Sequence, residues 1–454
     1  MTTAPPSAHW FILVVVACAC GRTPLAILPY ENGSPASHPI DVPSDGGPSI
    51  TPQPPVNGKC QDGLDPCGKG DALRCYDLSR SKDACGACGH ACAPGIACQA
   101  GTCQQYRCKG ALSFKALAVT WTVDKTGGVT YYTPALGDFD GDGILDLVGV
   151  PEATAPMSLL YGAGNGTFPT RRVIDSAANW SWQALAADLD GDGFLDLTSM
   201  NSRDFFYLSN EVTVRRGSGN RNAPFGEATG YPTSNEAASA LLADLDADGR
   251  LDLVAGERGV LEIWRGQAGG RFEHQAILGS PDTDTPFVPN PLQITDWNGD
   301  GNLDLLYGPD NVHLRLGRGD GSFDPETTCA LAMGSVGDLD HDGRLDLVNG
   351  TGFLFGLDGC HASKIVPISD WPTGAWALAD LNGDDNLDLV ADSQKDLSIR
   401  VGDGKGAFPQ LVSLPGTDSP GYSVFLFGDL NRDGKLDIVL TRTDGWRVFL
   451  NTCP

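Results

Sequence analysis

The chain has 454 residues, with 57 Asp and Glu against 31 Lys and Arg, for a formal net charge of −26. That balance excludes nucleic acid as a partner, because so few and scattered basic side chains cannot neutralise a phosphate backbone, and it makes cations the default partners. A hydrophobic share of 41% is enough for a packed core, and much of the acidity lies in short Asp clusters, which points to metal ligation.

Met1 to His9 lead into an apolar stretch from Trp10 to Ala17, far too short to span a bilayer, and small residues with two cysteines follow. Residues 1–22 therefore read as a cleaved export signal. The run Val15-Val16-Ala17-Cys18 resembles a bacterial lipobox, in which the cysteine is lipidated and becomes the mature N-terminus. Cys18 is the expected lipidation site, with Cys20 second. Met1 to His9 hold no Lys or Arg, which departs from that pattern and keeps a plain signal peptide as the alternative. The reading places the protein outside the cytoplasm, on the outer membrane or cell surface by a lipid anchor alone, or otherwise secreted.

Residues 23–59 have no hydrophobic period and recurrent prolines, including Pro48, Pro52, Pro54 and Pro55. Such a segment cannot bury enough surface to fold and is expected to be a disordered spacer, on the order of 3 Å per residue where polyproline-like. Residues 60–108 are dense in cysteine: Cys60, Cys67, Cys75, Cys85, Cys88, Cys92, Cys98, Cys103 and Cys108. This usage implies an oxidising compartment and a small disulfide module. A zinc site around Cys85-Gly-Ala-Cys88 is the lesser alternative. The segment resembles the small cysteine-rich modules that precede adhesive domains in secreted bacterial proteins.

From residue 109 to 454 a nine-residue pattern, Asp-x-Asp-x-Asp-Gly-x-x-Asp followed by an apolar residue, recurs seven times. With the seventh position included, the first copy is Asp138, Asp140, Asp142, Ile144 and Asp146, and the second is Asp188, Asp190, Asp192, Phe194 and Asp196. The third is Asp244, Asp246, Asp248, Arg250 and Asp252; the fourth is Asp296, Asn298, Asp300, Asn302 and Asp304. The fifth comprises Asp338, Asp340, Asp342, Arg344 and Asp346, and the sixth Asp380, Asn382, Asp384, Asn386 and Asp388. Asp429, Asn431, Asp433, Lys435 and Asp437 complete the series. First aspartates are 50, 56, 52, 42, 42 and 49 residues apart, the length of a four-stranded propeller blade.

The spacing suits Ca²⁺, a hard cation that takes six to eight oxygens at about 2.3 to 2.6 Å. Positions one, three and five offer side-chain oxygens, position seven its backbone carbonyl, and the Asp at nine closes the cage, with glycine at six permitting the sharp turn. A helix-loop-helix calcium site needs an acid at position twelve, where this chain has Gly149, Ser199, Ala255, Tyr307, Asn349, Ala391 and Leu440. The flanks instead alternate as strands, as in Leu251-Asp-Leu-Val-Ala255. The sixth copy is expected to be the weakest, because Asp385 stands where the others have glycine.

A second signature, strand, glycine turn and aromatic return, recurs in Leu160-Tyr-Gly-Ala-Gly-Asn-Gly-Thr-Phe168, in Leu316-Gly-Arg-Gly-Asp-Gly-Ser-Phe323 and in Val401-Gly-Asp-Gly-Lys-Gly-Ala-Phe408. With both signatures the chain resembles the FG-GAP, or VCBS, repeat family, which includes the propeller heads of integrin α-subunits. The resemblance implies an all-β, seven-bladed β-propeller with calcium loops between strands A and B of each blade. If so, Trp446 to Asn451 is strand C of blade seven, and the segment from Ala111 to Val119 supplies its missing strand D. Cys108 and Cys453 then flank neighbouring antiparallel strand ends and are expected to form a disulfide, leaving Cys329 and Cys360 as a further pair.

Nucleophile elbows, His-Glu-x-x-His sites and phosphate-cradling loops are absent from the sequence. His341 reads as a solvent-facing spacer, and surplus acids such as Asp282, Asp284 and Asp310 as polar loop residues. Arg318-Gly319-Asp320 falls inside a glycine hairpin and reads as coincidence; Trp180, Trp182, Trp371 and Trp376 read as packing residues before ligand-stacking ones. The expected function is a non-catalytic, calcium-binding adhesion or ligand-binding propeller that takes a protein or glycan as a monomer. An enzyme acting on polysaccharide, or a purely structural surface module, is the alternative.

Overall fold

The computed structural model describes residues 106–454 except 118–132, 150–155, 175–179, 203–208, 258–259, 280–291, 309–310, 369–374, 393–395, 416–423 and 443–444. Ahead of residue 106 it describes four short strands, which pair as two hairpins, Asp65–Cys67 with Arg74–Tyr76 and Cys98–Gln99 with Thr102–Cys103. Cys18, the export signal, the Pro-rich segment and the remainder of the cysteine-rich segment lie outside the described residues.

The rest is a seven-bladed propeller of antiparallel strands, lettered A to D outward from the axis. Blade 1 is Ala135–Gly137, Asp146–Gly149, Ser158–Tyr161 and Thr170–Val173. Blades 4, 5 and 6 begin at Leu292–Thr295, Ser335–Gly337 and Trp376–Ala379, each a separate four-stranded sheet. Blades 2 and 3 are fused, because the 19-residue strand Phe225–Ala243 is strand D of blade 2 and continues as strand A of blade 3. Blade 7 is made of Val424–Gly428, Asp437–Arg442 and Gly445–Asn451, and its strand D is Phe114–Ala116 from the start of the domain. The ring is closed by strands from its two ends, as the strand count required.

A period of two in strand B explains how the blades stack. After the ninth-position Asp comes one apolar residue facing the preceding blade, then one facing the following blade. Leu147, Leu197, Leu253, Leu305, Leu347, Leu389 and Ile438 all join the core shared with the blade before. Val148, Val254, Leu306, Val348, Val390 and Val439 join the core shared with the blade after. Seven cores thus alternate with seven blades around the ring, and each fully buried Leu or Val contributes about 1.5–3 kcal/mol.

The exception is Thr198 in blade 2, which is 1% exposed and whose Oγ1 has no hydrogen-bond partner. A buried hydroxyl that has lost water without gaining a partner costs about 1–3 kcal/mol. Thr198→Val keeps the shape and removes the hydroxyl, so it is expected to stabilise the protein by about 1 kcal/mol in chemical denaturation. A destabilised variant would mean that the hydroxyl is satisfied in solution.

Near the axis, side chains knit neighbouring inner strands together. Gln183 Nε2 donates to Ala240 O (3.0 Å) while Ala240 N donates to Gln183 Oε1 (2.8 Å), and Gln293 Nε2 donates to Gly334 O (2.7 Å).

Candidate metal centres

Every nine-residue loop lies between strands A and B, as the family resemblance implied. In blade 1, Asp138 Oδ1 accepts the N–H groups of Gly141 (2.8 Å) and Asp142 (3.1 Å), and Oδ2 accepts that of Gly143 (3.0 Å). The first aspartate therefore winds the loop around its own carboxylate. The fifth-position Asp accepts from the seventh-position N–H in all seven loops, from Asp142 with Ile144 (2.8 Å) to Asp433 with Lys435 (3.1 Å). Asn298, Asn382 and Asn431 accept the fifth-position N–H through Oδ1 as the third-position aspartates do.

Two positions in each loop, not one, need a left-handed backbone. Position six has φ of 80° at Gly143, 98° at Gly249 and 70° at Asp385, and position four has φ of 76° at Gly141, 53° at Ala247, 58° at His341 and 64° at Arg432. For L-residues that conformation costs about 1–2 kcal/mol. Asp385→Gly is therefore expected to raise stability by about 1 kcal/mol, read as a higher urea midpoint at unchanged slope; a lowered midpoint would show that the Asp385 carboxylate itself contributes.

The ninth-position aspartate does more than close a cage. In blade 1 both Asp146 oxygens are taken by backbone amides, Oδ2 by Phe139 N (3.1 Å) and Oδ1 by Gly162 N (2.9 Å). The same pair of bonds recurs in every blade, ending at Gly217, Gly266, Gly317, Gly356, Gly402 and Asn451. These are the residues that end strand C, so the carboxylate staples loop to hairpin. A methyl group on Gly162, Gly217, Gly266, Gly317 or Gly402 would collide with the carbonyl oxygen at position eight of the loop, which is why the second signature carries glycine there.

In three loops the carboxylates at positions one, three and nine converge: Asp138, Asp140 and Asp146; Asp188, Asp190 and Asp196; Asp338, Asp340 and Asp346. In the third loop Asp244, Asp246 and Asp248 do so, and in each group the oxygens lie within 4.8 Å of one another. Asp338 Oδ1 is buried and accepts no hydrogen bond. An acid-rich oxygen set with an orphaned carboxylate oxygen fits a hard divalent cation. With no cation beside them, burial pushes the carboxyl of Asp146 up to about 8, those of Asp188, Asp252, Asp346, Asp388 and Asp437 to about 7, and those of Asp304, Asp380 and Asp429 to about 6.

Three arginines enter the first three loops, a feature the sequence reading missed. Arg221, in the blade 2 hairpin, reaches loop 1 at Asp140 Oδ2 (2.6 Å) and Asp142 Oδ2 (3.3 Å). Arg216 pairs with Asp196 Oδ2 (2.6 Å) in loop 2, and Arg265 with Asp246 in loop 3. The available signal was that Arg216 and Arg265 stand immediately before the hairpin glycines Gly217 and Gly266, where blades 1, 4, 5 and 6 have Tyr161, Leu316, Phe355 and Val401.

His341 is exposed as expected, and its Nε2 also lies 2.9 Å from Asn386 Oδ1, so loop 5 touches loop 6. Arg318 is tied to Asp324 Oδ1 (2.7 Å) and Asp320 accepts from Ser322 N (2.9 Å), which holds that tripeptide inside its own hairpin. Trp376 is buried in the core between blades 5 and 6. Asp282, Asp284, Asp310 and Trp371, and the side chains of Trp180 and Trp182, lie outside the described residues. In blade 4, His313 Nδ1 meets Glu326 Oε1 (2.8 Å), Tyr307 donates its hydroxyl hydrogen to Glu326, and Arg315 Nε donates to Tyr307 (3.0 Å). Arg315 Nη2 also donates to Gly279 O (2.5 Å), so the network ties blade 4 to the outer strand of blade 3.

Among solved structures the chain is similar to an Agrocybe aegerita lectin that recognises non-reducing terminal N-acetylglucosamine, at 20% identity and a TM-score of 0.48, covering 70% of this chain and 86% of the lectin. It is also similar to a streptogramin B lyase at 11% identity and a TM-score of 0.45, covering 75% and 98% of the two chains. A third similar structure is a Bacillus licheniformis rhamnogalacturonan lyase, at 12% identity and a TM-score of 0.35, covering 77% and 76%. No curated protein matches. The model of the FG-GAP-like repeat matches residues 138–199, 244–307, 296–348 and 380–440, together just over half of the chain. Those segments carry loops and hairpins with the geometry described above, and the chain belongs to the FG-GAP-like repeat family.

Proposed function

We propose that this chain is an exported, lipid-tethered binding protein whose propeller is loaded with calcium and presents a protein or glycan ligand site, without catalysis of its own. The observation that carries the calcium reading is the convergence of three carboxylates in each of four loops, with the orphaned Asp338 oxygen among them. Positions one, three, five and nine of each loop, with the carbonyl at seven, would hold the ion. Bound calcium supplies two positive charges that neutralise carboxylates otherwise repelling one another at the seam between strands A and B. The disulfides Cys108–Cys453 and Cys329–Cys360 fit the oxidising compartment that export implies. Cys18 is the proposed point of lipidation, and the closed ring, which leaves no unpaired inner edge, suits a monomer.

A glycan and protein array probed with the purified chain in calcium and in EDTA tests the ligand reading. Calcium-dependent retention of one glycan or protein class is the expected result. Failure to retain any ligand, together with release of new sugar ends from a polysaccharide panel, would replace it with an enzyme.

A further inference from the structure

The seven loops are not equivalent, and the difference lies in charge already present in the chain. In loop 1 the Arg221 guanidinium lies against Asp140, whose side chain is 1% exposed, and is held there from two sides: its carbon lies 4.2 Å from the centre of the Tyr161 ring, and its carbonyl accepts the Tyr161 hydroxyl at 2.7 Å. In loop 2 Arg216 contacts Asp196, also 1% exposed, lies 3.9 Å from Asp190 Oδ2, and donates to Gly270 O in the neighbouring blade. In loop 3 Arg265 contacts Asp246, 5% exposed, and Asp248 Oδ2 (3.5 Å), while Arg250 adds a second guanidinium at 3.0 Å from that same oxygen. All three carboxylate groups that converge in these loops are thus already met by a cation. Among the described residues, no Lys, Arg or His lies within salt-bridge distance of an acid of loops 4 and 5, and in loop 5 the buried Asp338 Oδ1 goes without any partner.

We infer that Arg221, Arg216 and Arg265 act as built-in counter-ions that compete with the metal, dividing the loops into arginine-clamped sites in blades 1 to 3 and sites in blades 4 and 5 that depend on an external divalent cation. The inference rests on the calcium reading and deepens it. A partly buried guanidinium–carboxylate pair must be broken before an ion can take those oxygens, and the charge of the ion must be accommodated beside a displaced arginine. Loop 5 has neither obstacle. Blades 1 to 3 therefore keep their loops closed when calcium is scarce, and blades 4 and 5 are the ones that sense it.

Calcium titration of the full chain, stripped and kept folded, followed by calorimetry and by Tb³⁺ luminescence, tests this. The wild type is expected to show a tight class of sites and a class at least about tenfold weaker. Asp338→Ala removes one tight site, whereas Asp138→Ala leaves the tight class intact. Arg221→Gln, which changes a half-exposed side chain, is expected to strengthen one weak site by about tenfold or more and to lower the melting temperature only when calcium is absent. Equal sites in the wild type, or an Arg221→Gln chain with unchanged weak sites, would overturn the division. A wild type that binds no calcium at all would instead remove the reading on which it rests. Should Arg221→Gln fold poorly, Arg265→Gln gives the same comparison in loop 3.

Discussion

EDTA at pH 7.5 is expected to lower the melting temperature of this protein by about 10 °C or more, and the gap between calcium and EDTA is expected to widen as pH rises. An ion that binds only the folded state stabilises it by about 2.7 kcal/mol per site at a hundredfold excess over the dissociation constant, so even a few dependent loops outweigh any single packing contact. The pH dependence follows from the ninth-position carboxyls. Burial, the largest cause in each case, raises Asp146 to about 8 and Asp252, Asp346, Asp388 and Asp437 to about 7, against an unfolded value near 3.9. Between those limits the folded, cation-free chain binds more protons than the unfolded one. The stability these carboxyls contribute is therefore fully present below about pH 4 and is lost as pH rises through 7 to 8, with each group contributing a slope of up to about 1.4 kcal/mol per pH unit. Bound calcium would substitute for the proton at higher pH. Thermal melts from pH 5 to 8 in each condition would show the EDTA curve falling with pH; a flat or rising curve would mean that the carboxyls are not forced into low-dielectric surroundings without a cation.

The second large effect is expected on opening the ring. Cys108 and Cys453 are joined with their Cα atoms 5.5 Å apart, inside the range that bridges without backbone movement, and they are separated by 345 residues. Among the described residues, the same two ends are also joined by the short ladder between Phe114–Ala116 and Phe449–Asn451 and by flanking backbone bonds such as Lys109 N to Pro454 O (2.7 Å). In the chain-entropy account, a loop of that length is worth on the order of 5 kcal/mol. Replacing both cysteines by serine, Cys108→Ser with Cys453→Ser, should therefore lose more stability than Cys329→Ser with Cys360→Ser. The latter pair, 31 residues apart, closes a much shorter loop between blades 4 and 5, worth about 3–4 kcal/mol in the same account. Hydrogen exchange in the opened variant should rise first in blades 7 and 1, which share the core at the seam. A larger loss from the shorter loop would show that strain or core contacts, and not chain entropy, set the value of each bridge.

The amino-acid sequence by itself determined the seven loops, the strands that flank them and the closure of the ring. Each of these is local or follows from counting. Nine contiguous residues place their own side chains around one centre, and the apolar pair after Asp146, Asp252 or Asp346 can only face two neighbours when strand side chains alternate. Only the tertiary structure decided what depends on residues far apart in the chain. Asp146 reads as one more ligand in the repeat, yet both its oxygens are committed to amides at Phe139 and Gly162, which meet it only once strand C has folded back. Arg221 reaches Asp140 across 81 positions and a blade boundary, and no spacing rule carries that pairing. The fusion of blades 2 and 3 through Phe225–Ala243 likewise depends on how two sheets meet. Local spacing encodes which oxygens can gather, whereas burial and the neighbouring blade decide what charge those oxygens face, because desolvation and ion pairing are properties of the assembled ring.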